Sequence, residues 1–204
     1  MNETVNEHGE EMSDEITFEA DATPSEPRIL GLYGDVNEEN SQEFLATLLH
    51  YYHESPPEPD EDGYIHVVPV DFYISTGGGL VADMFAVYDM MRMVRESCPI
   101  HTFGIGKVMS AGVLLLAAGT KGERRIGKHC RIMMHRVLTG DSGSLHNIEA
   151  TYKEAEIMEE MMFKAIAAET KLTVRQLKKI VSKNLDAYFS AEEAIEMGIA
   201  DIII

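Results

Sequence analysis

The stretch HVVPVDFYISTGGGLVADMFAVYDMMRMVRE (66–96) joins a strand to a helix through a run of glycines. Its first part, HVVPVDFYI (66–74), is rich in β-branched and aromatic residues and predicts a strand. Pro69 marks an irregularity or an edge there, because proline cannot donate to a ladder. Its last part, 80–96, repeats apolar residues at Leu80, Met84, Val87, Tyr88, Met91 and Val94, the spacing of an amphipathic helix. Between them, STGGG (75–79) lets another group approach the backbone closely and presents N–H groups where the helix opens. Such donors serve a phosphate or a developing oxyanion, and the same glycines also make a plain tight turn. A nucleotide loop is not indicated, since no G-K-[ST] follows and no G-x-G-x-x-G is present.

The same alternation runs outward in both directions. RILGLYG (28–34) reads as a strand, and Asn37 to His53 carries Phe44, Leu45, Leu48, Leu49 and Tyr52 at helical spacing. ESPPEPDEDG (54–63), with three prolines and five acids, predicts an exposed loop. After Pro99 comes the strand IHTFGIG (100–106), then Ser110 opening the wholly apolar helix AGVLLLAAG (111–119). CRIMM (130–134) is a strand that delivers His135 at its end, and 136–144 is a polar link. Residues 145–169 predict a long helix with Ile148, Tyr152, Ala155, Met158, Met162, Ala165 and Ile166 as its apolar positions. A helix over 172–184 is capped by Thr173, and SAEEAIEMG (190–198) carries a capping box at Ser190 and Glu193. IADIII (199–204) closes the chain as a strand. Strands alternating with helices argue an α/β layered domain with a largely parallel sheet.

The bulk numbers agree with one ordinary domain: 204 residues, 45% apolar and 25% charged. The net charge is −18, and residues 1–27 hold nine acids with no Lys or Arg. That segment cannot bury enough surface to offset its ordering entropy, so it predicts a disordered acidic tail ahead of a domain spanning 28–204. Such an acidic protein repels phosphate backbones, which disfavours nucleic acid as a partner. Cys98 and Cys130 lack ligand-like spacing, so no metal site is expected, and both read as reduced thiols of a cytosolic chain. The opening residues lack the basic and apolar regions of a signal peptide, and AGVLLLAAG is too short to span a membrane.

Candidate chemistry centres on Ser110. Capping statistics alone make it an N-cap, but a helix start also favours negative charge near its oxygen, and the glycine run offers donors for an oxyanion. A serine needs a base to become a nucleophile, and His135, at another strand end, supplies an imidazole matched to neutral pH. His129 is the rival histidine. A third group should orient the imidazole, and Asp186, in the loop before the last helix, and Asp201, in the last strand, both remain open on these grounds.

At these residues the chain resembles the Clp protease proteolytic subunit family. GKVMSAGVLLLAAGTKGERR (106–125) is similar to that family's nucleophile segment, RIMMH (131–135) to its base segment, and YFSAEEAIEMGIAD (188–201) to its C-terminal stretch. YISTGGGL (73–80) resembles its oxyanion strand. The resemblance covers about Arg28 to Ile204. It implies Ser110, His135 and Asp186 as a triad, with the backbone N–H groups of Gly79 and Ala111 as the oxyanion hole. It implies a crotonase-like spiral of ββα units, with helix 145–169 as a protruding handle between two stacked seven-membered rings. An AAA+ unfoldase would feed in unfolded protein or peptides, and no cofactor is needed for peptide cleavage.

The sequence departs from the family pattern at several points. Ala111 stands where the family usually has Met, Gly77 replaces a common Pro, and Arg136 and Val137 replace Gln-Pro. The positions matching the family's apolar docking cleft are Asp71, Arg125 and Gly127, with Tyr73 retained. A polar cleft takes an apolar loop poorly, which puts the unfoldase partnership in question. Two other readings stand beside the peptidase: a regulatory ring subunit with little cleavage of its own, and a crotonase-type acyl-CoA enzyme.

Overall fold

The computed structural model describes residues 27–54, 67–140, 142–182 and 186–204. The expected acidic tail, and the loop beyond Glu54, therefore lie outside the described residues apart from Pro27. In chain order the elements are β1 (Arg28–Val36), α1 (Glu38–Glu54), β2 (Val70–Gly79), α2 (Val81–Val94), β3 (Ile100–Met109), α3 (Ala111–Ala117), β4 (Arg124–Ile126), β5 (Arg131–Met134), α4 (Leu145–Glu169), α5 (Val174–Ile180), β6 (Ala187–Phe189), α6 (Ala191–Met197) and β7 (Ile202–Ile203). The expected α/β domain with a mostly parallel sheet is what forms. Strands β1, β2, β3, β4 and β7 lie side by side in that order, all parallel, while β5 pairs with the far end of β3 and takes β6 as an antiparallel neighbour.

Strand β2 is interior, not an edge. It begins one residue after Pro69, so the missing proline donor falls outside the ladder, and Val70 N–H opens the pairing by donating to the Pro99 carbonyl at 2.8 Å. Its side chains alternate: Val70, Phe72, Ile74 and Thr76 are buried, while Asp71, Tyr73 and Ser75 are only partly covered on the opposite face. Helix α3 packs on β2 and β3 and against α2 and α4, and all seven of its residues are buried, as its unbroken apolar sequence demands.

A polar knot ties the helix ends together. Glu169, only 3% exposed at the end of α4, accepts two hydrogen bonds from Arg95 (2.7 and 3.0 Å) and one from the Tyr88 hydroxyl (3.0 Å), and pairs with Lys121 (3.1 Å). Burial alone would raise the Glu169 carboxyl, but Arg95 and Lys121 outweigh it and hold the group below its ordinary range. Burial, then the neighbouring Glu169 charge, push the Tyr88 phenol up to about 12, so it stays a donor. Arg124, also buried, donates to the carbonyls of Ala117, Glu169 and Gly198 and pairs with Asp201 at 2.5 and 2.7 Å. The C-terminal ends of α3, α4 and α6 thus meet on one guanidinium.

Helix α4 roots in the core only through its last turns, at Met162, Phe163, Ile166 and Glu169. Its earlier apolar positions project: Ile148, Tyr152, Ile157 and Met161 are all exposed. The predicted capping box forms at Ser190 with Glu193, the Thr173 cap proves to be a second box with Gln176, and Gly198 (φ 73°) ends α6. Helix α5 is shorter than the 172–184 expected from its pattern. Among the described residues, no helix is long and apolar enough to cross a membrane.

Candidate active site

Ser110 sits in the one-residue turn between β3 and α3, with φ 53° and ψ −117°. It is the one non-glycine residue of positive φ among those described. Its hydroxyl makes no capping bond to the helix, so the N-cap reading of this serine does not hold. A strand that turns sharply into a helix throws the side chain between them outward, and it stores backbone strain in doing so. The turn is anchored by the Ser110 N–H, which donates to the Met133 carbonyl at 2.8 Å, continuing the Met109–Met133 register of the β3–β5 pair.

The glycine run lies directly behind it. STGGG is not a loop: it is the end of β2, paired through Gly78 and Gly79 with Asp35 and Val36 of β1. Gly78 (φ 105°) is so close to the nucleophile turn that a Cβ there would stand 2.6 Å from the Ser110 Cβ. At Gly79 a Cβ would come within 2.0 Å of the Val36 carbonyl oxygen. Only glycine fits either place. Gly77, Gly79, Ser110, Ala111 and His135 line one cleft of about 240 Å³, with Val81, Met84 and Met162 among its apolar flank.

His135 follows the last residue of β5 and is partly buried on the wall of that cleft. The antiparallel β5–β6 register ends with Met134 opposite Ala187, and His135 and Asp186 are the next residue on each side. Sheet pairing thus carries His135 and Asp186 to the same end of one two-strand ladder. Asp186 is exposed, and its hydrogen bond is from the Tyr188 hydroxyl at 3.4 Å. Among the described residues, neither the Ser110 hydroxyl nor the His135 ring has a hydrogen-bond partner. The structure therefore brings Ser110 and His135 to one cleft without joining them, and places Asp186 nearby without closing a triad.

The rivals are disposed of by position. His129 is exposed in the turn before β5 and does not line the cleft. Asp201 is bound by Arg124 and by the N–H groups of Gly122 and Arg124. Burial alone would raise its carboxyl, but Arg124 and those backbone donors hold it below the ordinary range. Among the described residues, no group of three or more His, Cys, Asp or Glu is placed to hold a metal. Cys130 is inert, its thiol pushed up to about 11 by burial.

The Clp protease family model matches residues 21–204. The chain belongs to the Clp protease family. It is 32% identical over 177 residues to the ATP-dependent Clp protease proteolytic subunit 2 of Mycolicibacterium paratuberculosis, covering 87% of this chain and 82% of that one. It is 33% identical over 177 residues to the proteolytic subunit 1 of Prochlorococcus marinus, covering 87% and 84%.

The sheet face that carries Tyr73 and Phe103 also carries charged pairs. Tyr73 stacks on Phe103 with ring centres 4.5 Å apart, and the Arg125 guanidinium lies over the other aromatic neighbour at 5.1 Å from the Phe103 ring centre. Arg125 pairs with Glu123 at 2.6 Å, and His101 meets Asp71 at 3.1 Å. Two parts of the site escaped the sequence reading: the segment Arg136–Leu138, which forms a wall of the cleft, and Glu159 of α4, which holds that wall. The only signal was the change at 136 and 137 from the family's usual residues.

Proposed function

We propose that this chain is a serine endopeptidase, the proteolytic subunit of a Clp-type assembly, cleaving peptides and unfolded protein through an acyl-enzyme. The observation that carries the reading is the strained Ser110 turn, which aims a hydroxyl free of structural duty into the cleft lined by His135. In this mechanism His135 takes the Ser110 proton as the hydroxyl attacks the scissile carbonyl. The backbone N–H groups of Gly79 and Ala111 stabilise the tetrahedral oxyanion. His135 then passes its proton to the leaving amine, and a water activated by the same imidazole hydrolyses the acyl-Ser110 ester. Asp186 fixes the tautomer and orientation of His135 from the neighbouring strand end. Catalytic hydrogen bonds of this kind often form fully only when substrate binds. No metal or organic cofactor takes part in these steps.

The fold is read as the crotonase-like spiral, the assembly as two stacked seven-membered rings meeting through the projecting part of α4, and the setting as the cytoplasm. An AAA+ unfoldase remains a candidate partner, but the charged surroundings of Tyr73 and Phe103 suit a polar docking segment better than an apolar one. A regulatory ring subunit is the second reading, favoured by the exposed position of Asp186.

A fluorophosphonate probe decides between them. Covalent label on Ser110, with hydrolysis of a small fluorogenic peptide that disappears in Ser110→Ala, is the expected result. An unlabelled Ser110 in an assembled ring would point to the regulatory reading instead.

A further inference from the structure

Residues 135–140 leave the sheet. Beyond Met134 no strand pairs with them, and they carry no regular structure, yet Arg136, Val137 and Leu138 form a wall of the cleft beside His135. An unpaired segment at that place has no ladder to hold it. The Val137 side chain packs against the core, and the hydrogen bonds that fix the start of the segment converge on a single carboxylate. Glu159 of α4 accepts two hydrogen bonds from the Arg136 guanidinium, from Nε at 3.0 Å and Nη2 at 2.7 Å, and a third from the Val137 N–H at 3.2 Å.

We infer that Glu159 is a positioning residue for the reaction, clamping the Arg136–Val137 wall so that His135 and the cleft face Ser110 in working register. The inference rests on the peptidase reading above. Three features favour a positioning role over a surface ion pair. The Glu159 side chain is only 14% exposed, so its charge is poorly screened, although Arg136 is half exposed. The fork-on-carboxylate geometry fixes direction as well as distance. The Val137 bond fixes the main chain itself, two residues from the imidazole, whereas an ordinary surface pair fixes only side chains. Hydrogen bonding to Arg136 holds the Glu159 carboxyl below its ordinary range, so the clamp is ionised at neutral pH.

The clamp also gives α4 a second task. Residue 159 lies one turn before the buried root of the helix, between its projecting part and the core. Any tilt of the projecting part would be felt first at this carboxylate, and through it at the wall of the cleft.

The test compares the full-length parent with Glu159→Gln and Arg136→Gln, all checked for equal melting temperature. Glutamine keeps the size of residue 159 but cannot hold the guanidinium fork. The first readout is fluorophosphonate labelling of Ser110 at a series of probe concentrations. A displaced catalytic wall is expected to lower the maximal labelling rate about tenfold while leaving half-saturation within about twofold, since misplacement by a fraction of an ångström suffices. The second is hydrogen exchange of the 134–139 peptide, expected to rise about tenfold in both variants. The double variant should label no more slowly than Glu159→Gln alone, because both changes open the same clamp. A labelled parent matched in maximal rate by Glu159→Gln, or unchanged exchange in that peptide, overturns the inference and leaves the peptidase reading standing. A parent that takes no label overturns the peptidase reading and this inference with it.

Discussion

The backbone N–H of Ser110 donates to the carbonyl of Met133 at 2.8 Å. That bond ties the end of β3 to β5 two residues before His135, so main-chain pairing, not the serine side chain, sets where the hydroxyl stands. The division of labour between backbone and side chain has measurable consequences.

Replacing Ser110 should separate chemistry from folding. The hydroxyl has no hydrogen-bond partner among the described residues, so Ser110→Ala is expected to change stability by less than about 0.5 kcal/mol. Both serine and alanine carry the strain of φ 53°. Glycine does not, so Ser110→Gly should be the more stable of the two variants by about 1 kcal/mol after its extra chain entropy is counted. Urea midpoints at fixed protein concentration measure both effects.

Gly78 should be intolerant of even one methyl group. Its φ of 105° disfavours any side chain, and the new Cβ would press on the Ser110 Cβ at 2.6 Å. Gly78→Ala is expected to destabilise by about 2–3 kcal/mol. Whatever fraction folds should hydrolyse a fluorogenic peptide at least about tenfold more slowly per molecule, because the clash falls on the nucleophile turn.

The two aspartates considered for the triad should fail in different ways. On the proposed triad, Asp186→Asn is expected to lower the maximal rate by about a hundredfold or more, and with its carboxylate exposed the loss of stability should be small. Asp201→Asn should do the reverse, costing about 3 kcal/mol because it leaves the buried Arg124 without its counter-charge. The pH dependence follows from the depressed Asp201 carboxyl. A lowered folded value means the contribution is complete above the unfolded value of about 3.9 and fades as pH falls through the lower folded one. Stability curves of parent and Asp201→Asn should therefore run parallel from pH 7 to 5 and converge below about pH 4.

Much of this architecture was legible because local signals and tertiary demands coincide. The Thr173 cap and the Ser190 capping box are short-range chemistry, and both form. The long helix 145–169 follows from sustained periodicity, although its first apolar positions, Ile148 and Tyr152, are not buried. Periodicity reports amphipathicity and is silent about what covers the apolar face. Strand β4 (RRI) escaped notice because Arg124 is buried by ion pairing and not by apolarity. Strand β6 (AYF) is too short to show alternation, yet its register sets Asp186 beside His135. The glycine run read as a turn because propensity penalises glycine in strands, whereas here the closeness of Val36 and Ser110 demands it. Capping statistics alone favoured an N-cap at Ser110 because the residue type cannot reveal a dihedral angle.

The nucleophile's independence from the scaffold has an evolutionary side. Since the Ser110 hydroxyl bears no weight in the fold, a single-base change at its codon could silence the chemistry while every strand, knot and helix end stayed in place. A lineage that duplicated such a gene would obtain a copy without the hydroxyl that still folds, and selection on the scaffold alone would keep it.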